Sequence, residues 1–545
     1  MLLSEQVEEG EALFFMSKSR AELCKQLELS WKQIRFLAFQ LKDRDKYRHI
    51  EVKKKNGENR NIRAPNKLLK SVQHKILQEI LEPNYRAPSC SHGFIAGKDI
   101  AQNASMHKRS RILINIDLAD FFPTISFPRV MGMYMGKPFS FSRDIAIILA
   151  RLCCFDGRLP QGAPTSPIIS NIICIRLDRK LTALAKQHRF RYTRYADDIT
   201  FSSRLTGVPA SLGDYKSGKY SIPKDCLLHE IITDEGFSIN PDKIKCANRH
   251  GRQMVTGLVV NKKVNIPRRF IREVRRELCW IEKHGIDDVR KKYEDLHPEG
   301  PDFVCSLHGK IEYVKSIRGA MDVIYLALAK RYITLSLEPK IKLPPSADLA
   351  LHASRVTYVI ESSKAMNQGS AFLYRGFIVS ASHCIEEDYK DTYALTQVHS
   401  GNENLTLSFI DRDEYADISI LKLKYDPCEP LPPIKGNPNP KYDVGETVYV
   451  SGFPQYAPGN SVSFIEMKIS GSYNRISRYY KQVDKPIIVG TSGGPVFDSE
   501  GSLVGIATHG SESPDKVHHY KSGFAPLEFI DELINKQKQY AESEH

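Results

Sequence analysis

Thr193-Arg194-Tyr195-Ala196-Asp197-Asp198-Ile199-Thr200-Phe201 decides how the front of this chain is read. Two adjacent acids between apolar, strand-like residues predict a hairpin that presents carboxylates at a cleft. Upstream, Ile112-Leu113-Ile114-Asn115-Ile116-Asp117-Leu118-Ala119-Asp120-Phe121-Phe122 reads as a buried strand that delivers another acid. Carboxylates from Asp117, Asp197 and Asp198, converging from two strands, can hold two Mg²⁺ ions about 4 Å apart, an arrangement that stabilises in-line phosphoryl transfer. An isolated Asp-Asp pair is more often a solvated turn. The second motif gives the pair its weight.

Further out lies Leu159-Pro160-Gln161-Gly162-Ala163-Pro164-Thr165-Ser166-Pro167. Together the three segments resemble core motifs of reverse transcriptases, in that family's order. The resemblance implies a right-hand α+β polymerase of fingers, palm and thumb. Asp117, Asp197 and Asp198 would be its metal ligands, helped by the Leu118 carbonyl. Phe122 would be the ring that excludes a ribose 2′-hydroxyl, and Gln161 and Gly162 would line the nucleotide and template pocket. Arg60, with Lys54 or a neighbouring lysine, would clamp the dNTP triphosphate, for which a cation has an evident electrostatic purpose. By the same resemblance Lys243, in Gly236-Phe237-Ser238-Ile239-Asn240-Pro241-Asp242-Lys243, would protonate the leaving pyrophosphate.

Asn103-Ala104-Ser105-Met106-His107 and Val255-Thr256-Gly257 resemble two elements of retron reverse transcriptases. That narrower resemblance implies binding of a cognate structured non-coding RNA and priming from a guanosine 2′-hydroxyl. The product would be branched multicopy single-stranded DNA (msDNA), with template removal left to a host ribonuclease H. Asn103, His107, Val255, Thr256 and Gly257 are the RNA-contact candidates it supplies. Arg268 and Arg272, in the Arg-rich run 268–276, suit RNA recognition by shape; a solvated helix face is the equal alternative. Residues 205–224 read as a Gly/Ser/Lys-rich loop.

In the rear half, Gly490-Thr491-Ser492-Gly493-Gly494-Pro495 puts a serine in a turn where glycine lets the backbone curl. The N–H groups of Gly490 and Ser492 could then face a developing oxyanion. His383, after an apolar run, and Asp417, before the alternating strand 418–423, complete the order His, Asp, Ser. The segment resembles trypsin-like serine proteases and implies an all-β double barrel that cleaves a protein substrate. Gly445-Glu446-Thr447-Val448, Gly452-Phe453-Pro454 and Gly523-Phe524-Ala525-Pro526 resemble the bacterial high-temperature-requirement branch. Thr508-His509-Gly510 would be its substrate-pairing edge. Cys384 lacks the disulfide partner of digestive members, and Thr491 stands where their activation aspartate stands. Control is therefore expected from ordering of a loop within 455–485.

Charge separates the halves. The net +14 is carried by the first 344 residues, because residues 345–545 hold 18 basic and 26 acidic side chains. A basic front suits a polyanion, while the rear needs another partner. Eleven cysteines without a CxxC pair are no disulfide or zinc framework. No apolar run nears the roughly 20 residues of a spanning helix, and the first residues are acidic rather than signal-like, so a bacterial cytoplasmic protein is expected. The expected divisions are a helical region at 1–50, fingers and palm at 51–250, thumb at 251–335, linker at 336–352 and protease at 353–545. The combined expectation is a retron reverse transcriptase fused to an antiphage protease effector, released by a conformational or oligomeric change. The alternative is a non-retron defence enzyme with a self-processing or inactive protease-fold module.

Overall fold

The computed structural model describes residues 20–53, 59–216, 219–298, 300–362, 368–385, 393–396, 404–425, 427, 430–454, 456, 461–475, 478–509 and 522–543. It divides into two compact units, Met1–Pro267 and Arg268–His545. In the first, β1 (Tyr47–Lys53) and β2 (Asn59–Pro65) form an antiparallel ribbon. Lys54, which would follow β1, lies outside the described residues.

The central sheet is built on β3 (Ile112–Ala119). Its apolar run is explained by burial of nearly every residue. On one side it pairs with β5 (Asp198–Ser203), which pairs in turn with β4 (Arg191–Tyr195). On the other it pairs with β8 (Ser238–Ile239) and β9 (Lys245–Asn248). A ribbon of β6 (Asp214–Lys216) and β7 (Lys219–Ser221) occupies part of the segment expected as loop. The last hairpin, β10 (Met254–Val255) and β11 (Leu258–Val259), turns through Thr256 and Gly257. Both have positive φ, 45° and 83°, the backbone that two-residue hairpins favour. Helices α1 (Ile100–Ser105) and α2 (Ile175–Gln187) pack near this sheet, α1 against β4, β10 and β11, and α2 against β4.

The second unit opens with a helical bundle, α3 (Arg268–His284), α4 (Ile286–Leu296), α5 (Phe303–Arg318) and α6 (Val323–Thr334). Ile271, Val274, Leu278 and Ile281 recur at helical spacing and are buried, which seats α3 on one face. The segment expected as linker ends inside a further helix, α7 (Ala347–Val356). Two closed barrels follow. The first comprises β12 (Tyr358–Ser362), β13 (Gln368–Tyr374), β14 (Phe377–Ala381), β15 (Tyr393–Thr396), β16 (Asn404–Asp413) and β17 (Ile418–Leu423). The second comprises β18 (Thr447–Gly452), β19 (Ser463–Arg475), β20 (Arg478–Val483), β21 (Pro495–Phe497), β22 (Leu503–His509) and β23 (Gly523–Pro526). Helix α8 (Leu527–Ser543) packs against strands of both barrels. Closure pairs the sheet edges, and alternate residues such as Val450, Ile469, Val496 and Phe524 fill the second interior. Of residues 455–485, within which a control loop is expected, 463–475 and 478–483 form the long hairpin β19–β20, whose Tyr473 and Tyr480 rings stack, while 455, 457–460, 476 and 477 lie outside the described residues.

The bundle and the barrels share a small core of their own. Val323 of α6 packs with Val359, Phe453 and Val462. Beside it, Arg318 Nε donates to Asp322 Oδ1 at 2.8 Å, and both side chains are at least nine-tenths buried. Ser461 bridges the pair: Arg318 Nη2 donates to its Oγ at 3.0 Å, and that hydroxyl donates to Asp322 Oδ2 at 3.2 Å. Removing one partner leaves the other charge buried and unmatched. Arg318→Ala is expected to cost about 3–5 kcal/mol in thermal or urea unfolding of the second unit, and Lys330→Ala, at an exposed pair, about 1 kcal/mol or less.

Candidate active sites

Asp117 on β3 stands directly opposite Asp198 on β5, and Asp197 precedes Asp198 in the turn from β4. That turn is two residues long, with Ala196 at φ 56°, and Leu118 N donates to Asp197 O at 3.1 Å. Strand alternation puts Asn115 and Asp117 on one face with Asp198 and Thr200. These four line a cavity of about 380 Å³ that also contains Lys243, Lys245, Arg252, Thr256 and Gly257. Lys243 Nζ donates to both Asp117 oxygens at 2.9 Å. The Asp198 carboxyl, although open to the cleft on one side, is pushed up to about 6. Loss of surrounding water leads, and repulsion from Asp197 and Asp117 adds to it. Among the described residues no three His, Cys, Asp or Glu side chains are already arranged around one metal position. Nonetheless, crowded carboxylates that attract an ammonium are a donor set suited to hard divalent cations.

A buried network that the motifs did not reveal lies under the turn. Arg194 is fully buried and donates from Nε and Nη2 to Asp178 of α2, both at 2.8 Å. Its Nη1 donates to Asn171 Oδ1 and to Ala196 O, each at 3.1 Å. Gly93 backs the same turn so closely that an added Cβ would lie 2.5 Å from Ala196 N. Arg194 does not stand out in the sequence, because its strand also carries Arg191 and Thr193 and its partner is 16 residues upstream.

The other polymerase candidates divide by location. Phe122 is part-buried, edge-on to Phe121 and 6.2 Å from the exposed ring of Phe94. Gln161 O accepts from Arg63 N at 2.8 Å, and Gly162, at φ 116°, fits against Ile62, so this loop is fastened to β2. Arg60 pairs with Val52 in the ribbon; its side chain lies outside the described residues. Asn103 and His107 are buried, contrary to a surface that touches RNA. His107 bonds Ser202 through Nδ1 and Thr193 through Nε2, each at 2.7 Å, and burial drives its basicity down to about 3. Both ring nitrogens serve the fold, so a positioning role replaces direct contact. Thr256 Oγ1 donates to Ile100 O at 3.2 Å, bringing the two retron-like elements together. Val255 is buried and Gly257 exposed. Arg268 and Arg272 lie on the exposed side of α3, where Arg276 covers Trp280 at 5.8 Å.

In the second unit, Asp417, at φ 57°, holds His383 twice. Its Oδ1 accepts from the His383 backbone N at 2.9 Å, and its Oδ2 faces ring Nδ1 at 2.7 Å. This contact orients Nε2 as the base. Burial lowers the imidazole's basicity, but Asp417 and the adjacent Cys384 sulfur more than offset this and raise it to about 10. Cys384 Sγ lies 4.0 Å from Ser492 O, so the nucleophile loop abuts the histidine's own turn. No hydrogen bond joins Ser492 Oγ to His383 among the described residues.

Ser370, which no sequence motif flags, is fully buried and ties the loop across the barrels. Its N donates to Ser492 O at 2.8 Å and its Oγ to Gly490 O at 2.7 Å, while that Oγ accepts from Phe453 N at 2.9 Å. Gly490 has φ 93°, and a Cβ on Gly493 would meet Ser370 O at 2.1 Å. Tyr480 Oη donates to Tyr415 O, and Arg478 pairs with Asp413, so β20 braces the segment leading to Asp417. β22 pairs with β23 as far as His509, whereas its pairing with β21 ends at Ile506. Gly510 lies outside the described residues.

Comparison with known proteins matches residues 52–265 to a reverse transcriptase (RNA-dependent DNA polymerase) family model and residues 369–506 to a trypsin-like peptidase domain. Retron Mx162 reverse transcriptase of Myxococcus xanthus is 34% identical over 289 residues, 47% of this chain and 57% of its own length. Retron Ec86 reverse transcriptase of Escherichia coli is 34% identical over 263 residues, 48% of this chain and 77% of its own length. A crystal structure of Deg5 aligns with a TM-score of 0.29 at 20% identity, over 34% of this chain and 91% of that one.

Arg194→Met strands Asp178 in the core, and is expected to cost about 3–5 kcal/mol in unfolding of the first unit and to abolish polymerisation. Retention of both would remove the network from the site. In the protease, the base acts only when neutral, so cleavage of a peptide ester should keep rising with pH toward about 10. Asp417→Asn should bring that rise to lower pH while cutting the rate. A wild-type profile already flat above about pH 7, as an unperturbed histidine would give, contradicts the raised basicity.

Proposed function

We propose a function from one premise: this chain belongs to the retron reverse transcriptase family. The reading is an RNA-directed DNA polymerase and serine endopeptidase in which msDNA made by the first activity restrains the second, which acts as antiphage effector. The observation that carries it is the pairing, in one chain, of Asp117 opposite Asp198 with a His383–Asp417 dyad beside the Ser492 loop.

In the polymerase, Asp117, Asp197, Asp198 and the Leu118 carbonyl would hold Mg²⁺, which when bound neutralises phosphate charge and acidifies the attacking hydroxyl. Lys243 is held at the acids, where its proton can go to the leaving pyrophosphate. Phe122 excludes a ribose 2′-hydroxyl, Gln161 and Gly162 shape the pocket, and Arg60 with Lys54 takes the triphosphate. The Thr256–Gly257 turn lines the same cavity as the acids, which supports placing the RNA-borne priming hydroxyl there. The exposed arginines of α3 would hold the non-coding RNA.

In the protease, His383 Nε2 takes the Ser492 proton and later returns it to the leaving amine, with Asp417 fixing the ring. The N–H groups of Gly490 and Ser492 receive the oxyanion. A protonated His383 without a bond to Ser492 favours a restrained resting state. A path for release runs from α6 through Phe453 to Ser370, and from there to Gly490 and Ser492. Movement of the nucleic-acid-bound bundle would shift Phe453 and so reset the oxyanion loop.

Expressed with its RNA locus, the wild type should protect cells from phage and Ser492→Ala should abolish protection, whereas Asp197→Asn, which makes no msDNA, should leave the protease unrestrained and slow growth unless Ser492 is also replaced. Survival of protection without Ser492 would end the effector reading. DNA purified with the protein should carry a 2′-linked RNA stub; linear DNA without one would favour a non-retron enzyme.

A further inference from the structure

At the end of the central sheet away from the acids, a second cavity of about 250 Å³ is lined by Lys108, Arg189, Arg191 and Arg204, with Ser110 and Ser203. Asp117 and Asp198 face each other at one end of the β3–β5 pair, and Ile112 and Ser203 at the other. Five residues of strand put the two places about 17 Å apart. The four cationic side chains are exposed, and no acidic residue lines the cavity. Among the described residues Lys108, Arg189 and Arg204 make no ion pair.

The backbone here is fixed, not casual. Arg191 Nη1 donates to Met106 O at 2.8 Å, and Ser110 Oγ donates to His107 O at 3.0 Å. Ser203 Oγ donates to Arg189 O at 3.1 Å and accepts from Leu205 N at 3.1 Å. His107, buried between Ser202 and Thr193, pins the turn after α1 that carries Lys108 to β4, which carries Arg191, and to β5, which Arg204 follows. Like charges held this close repel unless an anion joins them. Arginine forks match phosphate oxygens, and four cations suit several phosphates rather than one. No aromatic ring lines the cavity, and Leu205 is its sole apolar side chain.

We infer that this cavity is a phosphodiester-binding site that anchors the backbone of the structured RNA away from the catalytic acids, and that the Asn103–His107 element acts by shaping it. The inference rests on the RNA-binding part of the proposed function. It turns a motif whose side chains are buried into the support of a contact made by its neighbours.

The test is equilibrium binding of the full chain, without added metal or dNTP, to a synthetic RNA stem-loop and to the DNA stem-loop of the same sequence, across a salt series. The variant is Lys108→Gln/Arg189→Gln/Arg204→Gln, and the charge-matched control is Lys435→Gln/Lys441→Gln/Lys538→Gln in the protease. The first variant should weaken RNA binding roughly tenfold or more and flatten the log–log salt slope by about 0.7–0.9 for each phosphate it no longer neutralises. Extension of an exogenous primed template should stay at the wild-type level, which also reports intact folding. A weakening for both stem-loops supports a site that reads phosphates alone, and a weakening for RNA only supports one that also reads the RNA helix form. Wild-type slope in the first variant, or an equal weakening in the control, overturns the site. Failure of the wild type itself to bind RNA would instead overturn the underlying functional reading.

Discussion

A guanidinium removed from water holds the polymerase turn in place. Arg194 reaches Asp178, Asn171 and the Ala196 carbonyl from a position with no solvent contact. A charge so placed tolerates few geometries, because every broken hydrogen bond exposes it to a low-dielectric interior. The Tyr195–Asp198 hairpin inherits that rigidity. Asp197 and Asp198 can then be pushed toward Asp117 against their mutual repulsion.

Each candidate centre also carries its own countercharge. Lys243 occupies the Asp117 carboxylate, and Asp417 holds His383 by both ring and backbone. In the first case the ammonium relieves crowding among acids. In the second the carboxylate orients a base but raises its basicity above what catalysis at neutral pH wants. The contrast lies in geometry: the lysine is on a flexible stem and half exposed, whereas the aspartate is clamped at a left-handed backbone position.

The bundle and the barrels form one compact unit, and beside their shared core lies the buried polar cluster of Arg318, Asp322 and Ser461. Phe453 belongs to that core and also donates to Ser370, whose other bonds reach Gly490 and Ser492. The bundle whose first helix presents arginines outward is thus joined to the nucleophile loop through Phe453 and Ser370. Such contiguity is a physical route; a shift of the loop on nucleic-acid binding is what would make it a coupling.

Much was legible in order and spacing alone. The run around Asp117 announced a buried strand because a strand covered on both faces has no polar side to show, and the Gly-rich turn at Ser492 announced its curl. The alternation at 418–423 marked a barrel strand for the same local reason. Chain order could not say which polar residues go inside. Asn103 and His107 read as surface candidates, yet burial made them structural, and Ser370 and Arg194 gave no sign of their roles because their partners are distant in sequence. Within 455–485 the aromatic and polar residues of 463–475 and 478–483 lack a clean period, and strand pairing made them a hairpin. Local chemistry is written in the chain; burial and long-range partnership arise only when the chain closes on itself.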